Sequence, residues 1–197
     1  MLDLKQYQEE IDKLHTSGDN LIERLLDTIL NFNRYIMPKK REDGEYHFIP
    51  INGRLFLFIM RFVHIYIRKH TKDFIFVDLG AGDGQTKVVT QLNFTLRYRG
   101  IEKYPLPNYN KDIIIEGDFL KIDTFKKLPE GLKIYYAYNP LSDRKMMYDA
   151  LGFWITEVLK KGDILIYIKT SNFDTDYEKI FESQFKALGN IYIYEKE

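Results

Sequence analysis

The chain has 197 residues, 45% hydrophobic and 29% charged, which is apolar enough for a packed core and excludes global disorder. Lys+Arg and Asp+Glu each number 29, and a formal net charge of zero argues against a long phosphate-binding track. The absence of cysteine excludes disulfides, thiolate metal sites and a cysteine nucleophile, and with an acidic, amphipathic start it points to a cytoplasmic protein.

The first third reads as helical. Leu4, Tyr7, Ile11 and Leu14 recur at spacings of three and four, one stripe of a helix. Thr16-Ser17-Gly18-Asp19 breaks it. Leu21, Ile22, Leu25, Leu26, Ile29, Leu30 and Phe32 then predict a second helix with a broad apolar face, ended by Met37-Pro38. The two can form a hairpin that packs on the main domain or on a protein partner. Lys39-Lys40-Arg41-Glu42-Asp43-Gly44 reads as a charged loop. These observations divide the chain into a helical segment, 1–48, and a main domain, 49–197.

Ile49 to Arg54 form an irregular lead into a helix over Leu55–Ile67. That run is interrupted by Arg61 and His64 and is shorter than the ~20 residues a membrane span needs, so no membrane association is expected. His15, His47, His64 and His70 show no metal-ligand spacing, and no metal is expected.

From Asp73 onward strands and helices alternate. Strands are predicted at 73–79, 97–102, 112–116, 132–138, 163–169 and 190–195, all rich in Ile, Tyr, Val and Phe. Helices are predicted near 85–92, 119–127, 143–160 and 175–187. The last opens with Asp174, Asp176 and Glu178, a carboxylate-rich first turn that favours the helix dipole. The alternation predicts an α/β domain: a Rossmann-like, mostly parallel sheet of six to seven strands flanked by helices, behind the N-terminal helical extension.

One string carries chemistry: Phe76-Val77-Asp78-Leu79-Gly80-Ala81-Gly82-Asp83-Gly84-Gln85. A hydrophobic strand runs into a glycine turn and then a helix. Glycines let the chain turn sharply and let a ligand touch backbone, while the helix start presents N–H groups. The spacing is G-x-G-x-G. The dinucleotide fingerprint G-x-G-x-x-G wants a third glycine where Gln85 stands, which argues against a nicotinamide-dependent oxidoreductase.

Asp-Leu-Gly-Ala-Gly-Asp-Gly resembles the first motif of the class I S-adenosylmethionine-dependent methyltransferases, and the resemblance covers roughly residues 50–195. It implies a methyltransferase with S-adenosylmethionine as cofactor. Gly80, Ala81, Gly82 and Gly84 would line its methionine and ribose portion, with Asp78 near the methionine ammonium. Tyr98-Arg99-Gly100-Ile101-Glu102 ends the second strand with an acid 24 residues beyond Asp78, and the likeness assigns Glu102 the ribose hydroxyls. Gly117-Asp118-Phe119 resembles the adenine-reading step, through the Asp118 side chain and the Phe119 backbone. Tyr104 is a candidate to pack on the adenine face, and Asn52 to Arg54 to close over the donor.

Asn139-Pro140 ends the fourth strand and resembles the [Asp/Asn]-Pro-Pro-aromatic motif of amino-group methyltransferases. Asn139 and Pro140 are thus the candidate catalytic residues, with Asn139 also facing the donor. Leu141 and Ser142 depart from that motif and weaken the case for a stacked nucleobase. An amino group on a protein side chain is the expected acceptor, with a nucleic-acid base or a small metabolite as alternatives. A non-catalytic binding module on the same fold is a further alternative, disfavoured because the glycines and the ribose acid are retained. The family sheet usually has seven strands with a final antiparallel hairpin, and only one strand is predicted after the last helix.

Overall fold

The computed structural model describes residues 3–31, 52–70, 72–82, 84–92, 96–105, 110–138, 140–141, 143–169, 184–188 and 190–197. Helix α1 spans Leu4–Lys13, and the Asp3 carboxylate accepts from the N–H groups of Lys5 and Gln6 at its start. Its predicted stripe is the buried one: Leu4, Tyr7 and Ile11 face inward, and Leu14 lies just past the last turn, exposed. Helix α2 spans Asp19–Asn31. The predicted end of that helix at Met37-Pro38, and the charged loop 39–44, lie outside the described residues.

Helix α3 spans Gly53–His70 and is buried along most of its length. The sequence pattern placed Gly53 and Arg54 in an irregular lead, but both are helical. Asn52 caps the helix by accepting from the Leu55 N–H at 3.1 Å, and the Asp27 carboxylate of α2 accepts from the Gly53 N–H at 2.5 Å. Position 53 has no room for a side chain, since a Cβ there would lie 2.2 Å from the Glu23 carbonyl oxygen. The two helices therefore cross backbone to backbone. A second tie runs from Arg61 of α3 to Asp19 of α2, two bonds of 2.8 and 2.9 Å. The Arg61 guanidinium holds the Asp19 carboxyl well below the ordinary carboxylate range, helped by the hydroxyl and N–H of Thr16.

The sheet follows. Its strands are β1 (Phe74–Leu79), β2 (Arg97–Glu102), β3 (Ile114–Glu116), β4 (Leu132–Tyr138), β5 (Ile164–Ile168), β6 (Lys186–Leu188) and β7 (Ile191–Glu195). The order across it is β3-β2-β1-β4-β5-β7-β6. The first five pair in parallel, and β7 runs antiparallel to both β5 and β6. Five of the predicted strands stand within a residue of the expected limits. The 112–116 strand begins later, at Ile114, after the turn at Lys111–Ile113.

The first helices between strands fall where expected, one of them much shorter. A 3-10 helix covers Gln85–Leu92, and α4 is a single turn, Ile122–Phe125, where 119–127 was expected. Asp118 makes the difference: its side chain accepts from the Leu120 N–H, folding 118–121 into a turn. Helix α5 (Arg144–Phe153) continues as a π-helical turn, Trp154–Val158. The helix expected near 175–187 falls largely outside the described residues, and its last stretch is corrected: residues 186–188 are strand β6. This supplies the seventh strand. Three residues, Lys-Ala-Leu, are too few to show a strand's alternation.

Two hydrophobic layers sandwich the sheet. Helices α1 to α3 cover one face, against Phe74, Phe76, Tyr98, Ile134, Tyr136, Ile164 and Ile166. Helices α4 and α5 cover the other, where Trp154 fills the centre. No helix among the described residues is long and apolar enough to cross a membrane.

Candidate functional site

Parallel strands fed from one end leave their carboxyl ends together, and the order reverses at β1, between β2 and β4. A crevice opens where connections leave in opposite directions. The glycine turn lies there. Gly80, Gly82 and Gly84 have φ of +84°, +57° and +79°. The turn is fastened below by the Gly80 and Ala81 N–H groups, both donating to the Ile101 carbonyl at 2.9 and 3.0 Å. Gly82 is different in kind: a Cβ there would meet nothing within 4 Å. The missing side chain leaves open space above the backbone, as a ligand cradle requires.

Glu102, the last residue of β2, turns its carboxylate to this turn. Oε2 accepts from the Gly82 N–H at 2.9 Å and Oε1 from the Tyr104 N–H at 3.0 Å. The residue is 8% exposed. A carboxylate has about four acceptor positions, so two such bonds leave capacity for a diol. The predicted pairing of glycine turn and strand-end acid is thus brought together.

Asp78 lies beneath the turn, buried. Its Oδ2 accepts from the Thr86 hydroxyl and, at 3.2 Å, from the Tyr98 hydroxyl. The two hydroxyls stand 2.9 Å apart. Sequence reasoning missed Thr86 and Tyr98. One signal was present: Gly100 in the middle of a strand marks a close approach, and a Cβ there would lie 2.5 Å from the Ala81 Cβ and 3.1 Å from the Tyr98 hydroxyl.

Farther along the carboxyl edge, Asp118 Oδ1 caps its own turn through the Leu120 N–H at 2.9 Å, and Oδ2 is 3.8 Å from Lys103 Nζ. The Phe119 ring is buried edge-on to Trp154, and its carbonyl accepts from the Trp154 indole at 2.8 Å. Tyr104 is exposed, with Lys103 Nζ 5.3 Å from its ring centre. Pro140 reaches over the turn, for a Cβ on Gly80 would come within 3.0 Å of Pro140 Cβ. The tips of β1 and β4 therefore touch. Asn139 and Asp83 lie outside the described residues. No group of acidic or histidine side chains able to hold a metal occurs among the described residues.

A central five-strand parallel run with a reversed final strand, in the order found, is the sheet arrangement the glycine motif implied. The chain has a Rossmann-like α/β fold. Several solved structures with partial likeness bear the name of a methyltransferase. One, named a ribosomal RNA methyltransferase, from Plasmodium falciparum, is 16% identical and aligns over 70% of this chain and 95% of its own, with a TM-score of 0.44. An S-adenosyl-L-methionine methyltransferase from Silicibacter pomeroyi is 14% identical over 68% and 88%, with a TM-score of 0.47. Human N-acetylserotonin methyltransferase, solved with S-adenosylmethionine, is 18% identical over 66% of this chain and 40% of its own, at 0.41. No protein-family model matches the sequence, and no curated protein matches it.

Proposed function

We propose that the protein is an S-adenosylmethionine-dependent methyltransferase. One observation carries the reading: the open position at Gly82, with the Glu102 carboxylate bonded to the same residue's N–H. An open glycine turn at positive φ beside a buried acid suits a ligand that carries both a diol and a charged amino-acid end. The bound donor supplies a methyl group on a cationic sulfur, already activated for in-line displacement, so the protein's task is alignment more than proton transfer. Gly80, Ala81, Gly82 and Gly84 would take its methionine and ribose portion, and Glu102 the ribose hydroxyls. Asp78 would lie near the ammonium, and Asp118 with the Phe119 backbone near the adenine.

Pro140 brings the β4 tip onto Gly80, which supports a role for Asn139-Pro140 at the acceptor side. An asparagine carbonyl there would accept N–H bonds from an amine and leave its lone pair toward the methyl group. This favours an amino group, first on a protein side chain and second on a nucleic-acid base, since a net charge of zero argues against a general nucleic-acid binder. A cytoplasmic setting fits this reading, as does division at residue 48 into a helical arm and a donor-binding domain.

Calorimetry with S-adenosylhomocysteine and with NAD tests the donor. Micromolar binding of the first alone is expected, and binding of NAD alone would overturn the reading. Tritiated methyl transfer into cell extract, counted separately in protein, RNA, DNA and small-molecule fractions, assigns the acceptor. Label confined to nucleic acid would reverse the stated order. Donor binding with no labelled fraction would favour a non-catalytic module.

A further inference from the structure

The glycine turn is held in two ways. Backbone bonds fix its base to Ile101 and tie the Gly84 N–H to the Ala81 carbonyl at 2.8 Å, while the space over position 82 is open. A side-chain clamp spans the turn as well. Asp78 stands on β1 before the turn and Thr86 on the 3-10 helix after it, and their bond closes a ring around Gly80–Gly84. Tyr98, from the neighbouring strand β2, bonds both members. On the other side, Tyr136 of β4 is the register partner of Asp78, fully buried, and its hydroxyl has no hydrogen-bond partner among the described residues.

Burying a carboxylate is costly, and a fold that needed only a turn could close it with an apolar pair. Here hydroxyls from two further segments bond and orient the carboxylate. Their geometry sets both where its oxygens lie and how far apart the two ends of the turn stand.

We propose that Thr86 and Tyr98 are positioning residues for the amino-acid end of the methyl donor, acting through Asp78 to fix the turn. This rests on the methyltransferase reading above. The clamp's bonds converge on Asp78, which that reading places at the donor's ammonium, so the amino-acid end is where their loss weighs most. Tyr136, equally close in register but without a bond to Asp78, has no such part.

The test uses the full chain and two ligands. S-Adenosylhomocysteine carries the amino-acid end, and 5′-methylthioadenosine keeps the nucleoside without it. Thr86→Val and Tyr98→Phe are each expected to weaken S-adenosylhomocysteine by about tenfold, the worth of one oriented charge-assisted contact. Methylthioadenosine binding should stay within about twofold, below the resolution of one such contact. Thr86→Ser, which keeps the hydroxyl, should restore the wild-type value, and Tyr136→Phe should bind both ligands as wild type does. Equal losses for both ligands, or no loss for either, would overturn the proposal and reduce the clamp to a fold element. Wild-type protein that binds neither ligand would remove the donor reading, and the proposal with it.

Discussion

Glu102 and Asp163 are buried carboxylates at opposite ends of the same sheet, and each is held by two backbone N–H groups. Glu102, at the carboxyl ends of the strands, accepts from Gly82 and Tyr104. Asp163, at the amino ends, accepts from Lys133 at 2.8 Å and Lys160 at 2.9 Å. What surrounds them differs. Asp163 is 1% exposed, and burial pushes its carboxyl above the ordinary carboxylate value in spite of both bonds. Gly162 beside it has Leu132 3.2 Å from where a Cβ would sit, whereas Gly82 has nothing within 4 Å. A pinned carboxylate is therefore not in itself a site. Asp163 staples β4 to the start of β5. Glu102 makes the same bonds next to open space.

The largest expected effect separates the two on stability. Asp163→Ala strands the buried Lys133 N–H and the partly buried Lys160 N–H and should cost about 3 kcal/mol in urea unfolding. It should leave S-adenosylhomocysteine affinity unchanged; a loss of donor binding in a folded Asp163→Ala protein would break the contrast. Next, Glu102→Ala should weaken S-adenosylhomocysteine by roughly thirtyfold, the worth of charge-assisted bonds to a diol. Its loss of stability should be well under that of Asp163→Ala. Were it the other way round, Glu102 would be a staple too.

Gly82→Ala sharpens the same point. The added methyl meets no neighbour, so the fold cost is that of a left-handed alanine, about 1 kcal/mol in thermal or urea unfolding. Donor affinity should fall further than this, because the methyl enters the cradle. The smallest effect is electrostatic. Asp19 has a depressed folded-state pKa, so its contribution to stability is complete above the unfolded value of about 3.9 and declines as pH falls below it. Asp19→Asn should flatten that acid limb, read by circular dichroism in urea at pH 3 to 6.

Much of this was legible in the sequence because the deciding features are local. β2 and β4 could be read to the residue from runs of β-formers, and the glycine turn with Glu102 from motif spacing. The features missed are those set by tertiary contact. Thr86 and Tyr98 are ordinary residues until the sheet places their hydroxyls on one carboxylate. Asp118 reads as helix start but spends its side chain closing a turn. β6 could not be read at all, since three residues hold no period and pairing with β7 alone makes them a strand. Gly53, in an apparently irregular lead, is determined by the passage of α2, 26 residues away in sequence from its cap Asp27.

That crossing makes the N-terminal arm a wedge and not a tether. Because the α2 backbone occupies the volume a side chain at position 53 would fill, shortening the chain to begin at α3 would not simply subtract two helices. It would strip Arg61 of its counter-charge and expose the apolar flank of α3 at Leu57 and Met60. Shortened versions prepared for crystallisation or assay should accordingly precipitate or self-associate, and useful expression boundaries are those that keep residues 3–31.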